Sequence, residues 1–424
     1  MKNSRAILLL LLANSISGVA QGISMLAIPW YFTSVIYNET LFGKVYFTAM
    51  TVSLFWGTYV GALVDRHPRK KIFLVINVVG FFVLGTVTAW GFAHGFLPWW
   101  MVALVFANTM LIYNIHFPNL YAYAQEITPK SEYARVTSLL EIQGQLTFTL
   151  AGAGAAILLK GIDHHLNVFG IDLHLPFYLR PLKIYEIFSF DAATYLIAFL
   201  IIYRIRSLPV VDRAVDTGTL YERLKTGFNF LYKHKVIMQF GIASLLLFLT
   251  IIVFGTYVQP AYVASFLHQG GDVYAFGDMS FSFGALVAGF VTTRVFSEKQ
   301  AIPGIIILHV LAGIMYVSLV LHRIPVLFFA ANFITGSCNA AVRIQRITYI
   351  FHHVPNRVIG RSGSIFFVTN VFMRVCLIGL FTLPFFHAGS NIQYAILIMA
   401  AICFVAALFL GANYKKLMHE PGVA

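Results

Sequence analysis

Three of the charged side chains inside the long apolar runs carry the chemical argument, because a charge in such a run is costly and therefore informative. They are Glu141, Asp278 and Arg374. Glu141 lies about 9 Å beyond Arg135 on a helix that rises ~1.5 Å per residue. A carboxyl at that depth favours its neutral form and can carry a proton, although an ion pair with a nearby arginine is the alternative. Asp278 is a second proton-coupling candidate, with a position near the outer interface as its alternative.

Arg374 predicts a binding site for an anion. It lies about 20 Å beyond Arg361 on the same helical scale, near or past the middle of a ~30 Å hydrocarbon core. Asn370 precedes it by one helical turn, and Arg343 extends the basic surface in the run before. We therefore expect a ligand with a carboxylate, catecholate or phosphate group. An internal ion pair of Arg374 with one of the two acids is an equally good interpretation.

Neutral polar side chains recur at helical spacing in four of the apolar runs. Steps of three, four or seven to eight residues keep each set on one helix face. Such faces line a wetted cavity or form hydrogen bonds between helices. The candidates for lining a cavity, besides Arg343, Asn370 and Arg374, are Gln21, Asn108, His116, Asn119 and Asn339. His116 can titrate in the physiological range, but a structural hydrogen bond is the more ordinary role of a lone histidine.

The runs that carry these residues are long enough to cross a membrane. The chain is 59% hydrophobic and only 11% charged, and a span needs roughly 20 apolar residues. We predict twelve spans, at about 7–35, 42–64, 72–95, 97–123, 136–159, 185–203, 236–260, 273–295, 301–321, 325–347, 362–386 and 391–413. The predicted fold class is therefore an all-α integral membrane protein, because only helices satisfy the backbone of such segments in lipid.

Lysine and arginine set the predicted orientation. Most of the 29 Lys+Arg residues fall in alternate gaps between the runs, and cytoplasmic loops retain these residues. The pattern predicts a multi-pass protein of the cytoplasmic (inner) membrane with both termini in the cytoplasm. The net charge of +13 is then a topology signal that interacts with membrane lipid, and no nucleic-acid partner is expected.

The longest basic gap divides the chain into two similar halves. We predict an N-terminal six-helix half at 1–203, a cytoplasmic linker with an interfacial helix at 204–235, and a C-terminal six-helix half at 236–424. The segments 128–138 and 354–364 share Pro, Arg and Ser at a constant offset and occupy corresponding gaps. Parallel six-helix repeats are typical of transporters, whose site lies near the membrane midplane between the repeats.

The gap after the second span carries the most specific motif. It reads Gly61-Ala62-Leu63-Val64-Asp65-Arg66-His67-Pro68-Arg69-Lys70-Lys71. This resembles the signature loop of the major facilitator superfamily, a Gly-x-Leu-x-Asp-Arg-x-Gly-Arg-Lys pattern, with Pro68 in place of the second glycine. The resemblance covers essentially the whole chain. It implies two six-helix halves related by pseudo-two-fold symmetry and a gating loop formed by Gly61, Asp65, Arg66, Arg69 and Lys70. Asp65 would then face the N-terminus of span eleven, where a helix dipole favours a carboxylate.

Two further segments resemble the drug- and siderophore-exporting branch of that family, which includes macrolide efflux pumps. One runs from Ile127 to Leu139, and the other is Phe190-Asp191-Ala192-Ala193-Thr194-Tyr195-Leu196. The glycines of the antiporter signature in span five are present without its proline. The resemblance implies a monomeric secondary transporter that exports a small amphipathic or anionic molecule in exchange for protons. Uptake or flipping of an amphiphile such as a lysophospholipid, or an uncoupled facilitator, is the alternative.

Enzymatic and cofactor chemistry lack a sequence signal. The chain has no Walker loop, His-Glu-x-x-His helix or Gly-x-Ser-x-Gly elbow, so a membrane enzyme or sensor is disfavoured. The cysteines all lie in apolar runs and do not suggest a disulfide framework. His164, His165 and His174 lie in an outer loop with loose spacing, which favours a solvated loop over a metal site. We therefore expect no cofactor and no metal.

Overall fold

A computed structural model describes residues 4–129, 132–168, 171–206, 220–295 and 301–419 of the chain. The side chains of Asp65, Arg66 and Glu141, among others, lie outside the described part. The helices are α1 Ser4–Trp30, α2 Glu39–Arg66, α3 Arg69–His94, α4 Trp99–Glu126, α5 Tyr133–Lys160, α6 Ile184–Tyr203, α7 Leu220–Lys233, α8 Lys235–Val253, α9 Gln259–Ala261, α10 Gly271–Val295, α11 Ala301–Leu321, α12 Pro325–His353, α13 Asn356–Phe381, α14 Ile392–Ala412 and α15 Tyr414–Met418.

The predicted all-α membrane fold is confirmed. In the described part of the chain, 11 helices are long and apolar enough to cross a membrane. They account for every predicted span except the second, which coincides with α2. Helix α7 lies within the predicted linker, as expected. Its position at the cytoplasmic surface stays a prediction, as does the orientation of the termini.

The loop before α6 contains secondary structure that the sequence analysis missed. Strands β1 Ile162–Val168 and β2 Ile171–Leu179 pair antiparallel, with Ile162 opposite Leu179 and Val168 opposite Ile171. The predicted plain loop is therefore wrong in its backbone conformation. The side chains of the three histidines in this hairpin lie outside the described part.

Two of the membrane helices contain π-helical turns. Helix α1 continues into one at Tyr31–Val35, and α8 continues into a second at Phe254–Val258 and a third at Tyr262–Phe266, on either side of the short α9. Pro29 and Pro260 lie next to these turns. Because proline removes a backbone donor and crowds the preceding turn, a wider turn is a local solution, and such turns are often found at functional sites.

The described structure forms two compact units. One comprises Met1–Asn38, Thr48–Asp216 and Gln269–Met279, and the other comprises Glu39–Phe47, Thr217–His268 and Ser280–Ala424. We call them the first and the second unit. They differ from the predicted halves in that the first segments of α2 and α10 belong to a different unit from the rest of each helix.

In the first unit, α6 packs against both α1 and α3. Glycines permit the close approach of α3, because Gly80 and Gly91 leave room for the rings of Tyr195 and Tyr185. Apolar contact alone does not drive helices together in lipid, so small residues and hydrogen bonds at the crossings matter most. These crossings hold α1, α3 and α6 in a fixed register, which positions the polar residues described below.

In the second unit, α11 packs against α12 and α14, and α8 packs against α13 and α14. Helix α7 lies on α13, where Gly227 faces the backbone of Arg361 and Ser362. The residues between these helices are fully buried, for example Ile305, Ala395 and Met399. The second unit therefore has a core of its own.

Candidate functional site

Arg69 and Lys70 of the signature loop bind partners within the first unit. Nη1 of Arg69 lies 2.6 Å from Oε2 of Glu126 at the end of α4. Nζ of Lys70 donates to the carbonyl oxygens of Tyr203 and Ile205, at 2.9 and 2.8 Å. A cation at the C-terminal end of α6 satisfies carbonyls that the helix leaves open. Both residues thus join α3 to its neighbours.

The remaining members of the predicted gating loop are only partly described. The backbone of Gly61, Asp65 and Arg66 belongs to α2, but the side chains of Asp65 and Arg66 lie outside the described part. The gating role of Asp65 stays a prediction.

A hydrogen-bonded chain crosses three helices of the first unit at His116. Nε2 of His116 lies 2.7 Å from Oδ1 of Asn14. Nδ2 of Asn14 donates to Oε1 of Gln143 at 2.5 Å, and Nε2 of Gln143 donates to Thr147 at 2.8 Å. His116 and Asn14 also line a small cavity together with Ser17. His116 therefore makes a structural hydrogen bond and also faces this small void, and its role in a substrate cavity stays a prediction.

The other predicted cavity residues of the first unit occupy different environments. Nε2 of Gln21 donates to the hydroxyl of Tyr195 at 3.2 Å. The amide nitrogen of Asn108 is buried and makes no hydrogen bond. Asn119 is fully buried, and its amide donates to the backbone carbonyl of Arg69 at 2.9 Å. Asn119 therefore supports the signature loop, and its cavity role stays a prediction, as do those of Gln21 and Asn108.

Helix α6 is fixed at both ends. At its start, the carboxylate of Glu186 accepts a hydrogen bond from the backbone nitrogen of Lys183 at 2.7 Å and one from Arg180 at 2.9 Å. The hydrogen bond to Glu186 raises the pKa of the Arg180 guanidinium above its usual value. Lys70 holds the other end, as described above. The residues in the middle of α6 are therefore held in place from both sides.

One of those residues, Asp191, was not among the site predictions. It is fully buried, with 0% of its surface exposed. Its carboxyl faces the hydroxyl of Ser24 on α1, but neither group makes a hydrogen bond of standard geometry. The available signal was an aspartate within the apolar run of span six.

The predicted anion-binding wall lies in the second unit. Asn370 is buried on α13, and its amide nitrogen has no hydrogen-bond partner. Arg374, one turn further on, is half-buried and interacts electrostatically with the phenol of Tyr46. On α12, Asn339 is half-buried and Arg343 is exposed. The structure thus places a guanidinium and an unused amide donor on one face of α13.

The two predicted proton carriers differ in how much the structure describes. The side chain of Glu141 lies outside the described part. Asp278 is half-buried on α10, within the segment that belongs to the first unit. Its neighbours in that segment pack closely on α5, since Gly152 leaves room for Met279 and Ala275. The proton-coupling role of both acids stays a prediction.

A further acid that the sequence analysis missed is Glu39, which lies in the second unit and is held by several hydrogen bonds. Glu39 accepts a hydrogen bond from Ser265 at 2.6 Å through Oε1, and its Oε2 lies 2.8 Å from Nδ1 of His387. Nε2 of His387 lies 3.0 Å from the hydroxyl of Tyr257. Among the described residues, no group of three or more His, Cys, Asp or Glu side chains is arranged to hold a metal ion.

These features define a class, that of helical membrane proteins with polar and charged side chains held between spans. The comparisons with known proteins then identify the family. The model of the Major Facilitator Superfamily matches residues 10–377. The chain belongs to this superfamily and is a membrane transporter. No curated protein sequence matches it.

Solved transporter structures share the fold across the whole chain. The nucleoside transporter NupG is 15% identical with a TM-score of 0.69, covering 97% of this chain and 99% of that chain. A D-xylose–proton symporter is 13% identical with a TM-score of 0.69, covering 95% and 96%. A bacterial homologue of the iron transporter ferroportin is 13% identical with a TM-score of 0.70, covering 98% and 99%. At such low identity these similarities show the fold alone.

Proposed function

We propose that this transporter exports a small amphipathic or anionic molecule across the cytoplasmic membrane and exchanges it for protons. The exporter-like segments around Thr128 and Asp191 support the direction. The structural neighbours include a protein named as a nucleoside transporter and one named as a D-xylose–proton symporter, so the fold by itself does not determine the direction of transport. The choice of an anionic substrate has a separate basis.

The observation that carries the anionic substrate is the pair formed by Arg374 and Asn370. A guanidinium inside a membrane helix is retained at a cost, and it usually meets a partner or a water-filled cavity. Arg374 is half-buried, and the amide nitrogen of Asn370 is buried without an acceptor. A carboxylate or phosphate oxygen is the natural acceptor for both donors, and an arginine can bind it through two parallel hydrogen bonds. We therefore assign the anionic group of the substrate to this face of α13.

The test is counterflow in proteoliposomes across a panel of carboxylates, catecholates, phosphates and matched neutral amphiphiles, with and without a pH gradient. We expect exchange of at least one anionic class and its acceleration by a pH gradient that drives protons inward. Uptake without export would favour the alternative direction, and gradient-independent exchange would favour an uncoupled facilitator.

Arg374→Ala and Arg374→Lys then test the site. Loss of a bidentate charged contact costs about 1.5–3 kcal/mol, so the apparent affinity for the anion should fall by roughly 10- to 100-fold. Lysine should rescue only part of this loss, since it cannot form the two parallel bonds. Arg323→Ala is the control, because that exposed arginine packs over the ring of Phe266, 4.2 Å from its centroid. An unchanged affinity in Arg374→Ala would remove the assignment.

A further inference from the structure

Asp191 is an unusual acid in this protein. Among the residues whose burial the structure describes, it is the only aspartate or glutamate that is buried. Neither of its carboxyl oxygens makes a hydrogen bond of standard geometry, and neither does the hydroxyl of Ser24 that faces them. Two unsatisfied polar groups therefore lie opposite each other between α6 and α1.

Charged groups on the surrounding helices are engaged elsewhere or lie at the helix ends. Helix α6 packs against α1 and α3. The titratable or charged side chains that these three helices carry in their described parts, apart from tyrosines, are Arg5, Arg69, Lys70, Lys71, His94, Glu186 and Asp191 itself. Arg69 pairs with Glu126, Lys70 binds the end of α6, and Glu186 pairs with Arg180. None of the described ion pairs includes Asp191.

This environment suits a neutral carboxylic acid and opposes a carboxylate. Burying an ionised carboxylate without a partner is so costly that the group usually takes up a proton instead. A protonated carboxyl has one O–H donor as well as acceptor oxygens. A small rotation of the Ser24 hydroxyl would let it pair with that acid, so one bound proton can resolve both unsatisfied groups.

The same seam contains a predicted cavity residue. Tyr195 follows Asp191 by one turn of α6, and Gln21 precedes Ser24 by one turn of α1. The hydroxyl of Tyr195 accepts the hydrogen bond from Gln21 at 3.2 Å. Gln21 and Ser24 on α1 and Asp191 and Tyr195 on α6 therefore form one continuous polar seam between the two helices.

We propose that Asp191 is a proton-binding site of this transporter, in which the carboxyl binds one proton and shares it with Ser24 while α1 and α6 are in contact. When water enters this seam, the O–H bond of the acid breaks, the proton passes to water and the carboxylate becomes hydrated. Rebinding reverses the step, and no other reactant is required. The proposal that this proton drives transport rests on the proposed function, whereas the binding of the proton does not.

Infrared spectroscopy of the full chain in lipid nanodiscs tests the site with the proton as the probe. At about pH 7 a solvent-exposed aspartate is ionised, so a carbonyl-stretching band of a protonated carboxyl identifies a buried neutral acid. We expect such a band in the native protein and its loss in Asp191→Asn. The asparagine has nearly the same shape as the neutral acid, so that variant should fold. Asp272→Asn is the control, because Asp272 pairs with Lys160 at 2.7 Å, and its spectrum should retain the band.

Two further measurements complete the test. In Ser24→Ala the band should remain and shift to higher wavenumber, because the acid loses its hydrogen-bonding partner. Replacing potassium by sodium in the buffer should leave the band unchanged, and its loss in sodium would show that the site binds a metal cation instead and would overturn the proposal. An Asp191→Asn spectrum identical to that of the native protein would also overturn it. Since no transport substrate is used, failure of the counterflow panel would refute the proposed function and leave this result intact.

Discussion

The crossing of α10 and α12 gives the sharpest stability prediction, because each helix places a glycine against the backbone of the other helix there. A Cβ at Gly284 would lie 2.8 Å from the carbonyl carbon of Phe333, and a Cβ at Gly336 would lie 2.8 Å from that of Phe281. The carbonyl oxygens of Phe333 and Phe281 lie closer still to the added Cβ atoms. Because ordinary contact begins at 3.4 Å, the facing backbone would have to retreat by more than 0.6 Å, the difference between 3.4 and 2.8 Å. The hydroxyl of Ser337 ties the helices together by donating to the carbonyl of Gly284 at 2.9 Å.

Gly284→Ala should therefore destabilise the protein by about 1–3 kcal/mol relative to a matched control, the usual cost of overpacking a tight contact. The control is Gly289→Ala on the same helix, where no atom lies within 4 Å of the added methyl group. Both variants gain the same helix propensity, up to about 1 kcal/mol per Gly→Ala exchange. The difference in stability between the two variants therefore measures the cost of crowding at the crossing of α10 and α12.

The assay follows the thiol of Cys338, which is buried on α12 two residues beyond Gly336. The exposed Cys376 is first replaced by serine, and maleimide labelling is recorded during heating of the purified protein. Cys403, which is also buried, reports unfolding elsewhere in the same unit. We expect Cys338 to react at a lower temperature in Gly284→Ala than in Gly289→Ala. Equal labelling in the two variants would refute the predicted crossing, and with it the fixed position of Asn339 and Arg343 on α12.

Two ion pairs give further predictions. Breaking the pair of Arg69 and Glu126, whose side chains are 17% and 19% exposed, should cost about 1–3 kcal/mol of stability. The charge-swapped double variant, Arg69→Glu with Glu126→Arg, should restore part of this loss in thermal unfolding. No recovery would mean that Arg69 acts mainly through another contact. Glu39→Gln should cost a similar amount of stability, because the carboxylate accepts a hydrogen bond from Ser265 and pairs with His387. A double-mutant cycle with His387→Gln should show coupling between the two residues. Strictly additive losses of stability would contradict that contact.

Much of the fold follows from the sequence because lipid leaves the backbone few options. The predicted third span, 72–95, is α3 Arg69–His94, and the predicted sixth, 185–203, is α6 Ile184–Tyr203. The hairpin before α6 was missed although Ile171, Leu173 and Leu175 alternate with polar residues, a two-residue period that indicates a strand. The π-helical turns had no such signal, since they depend on how Pro29 and Pro260 are accommodated within their helices.

The candidate site was less predictable because its contacts join residues far apart in the chain. Polar stripes singled out His116 and Gln21 as candidates, but spacing could not show that their partners are Asn14 and Tyr195. Asp191 was visible as an acid in an apolar run. What the sequence could not supply was its complete burial, which depends on the approach of α1 and α3.

The two described basic residues that open α3 in the signature loop, Arg69 and Lys70, make structural contacts. Arg69 and Lys70 make short contacts with Glu126 and with the end of α6, all inside the first unit. Charges engaged in this way stabilise the junction of α3, α4 and α6, and any motion that broke them would also expose the carbonyls that close α6. A switching role in this loop is therefore expected of Asp65, and replacing Arg69 or Lys70 should first loosen the first unit and only through that affect transport.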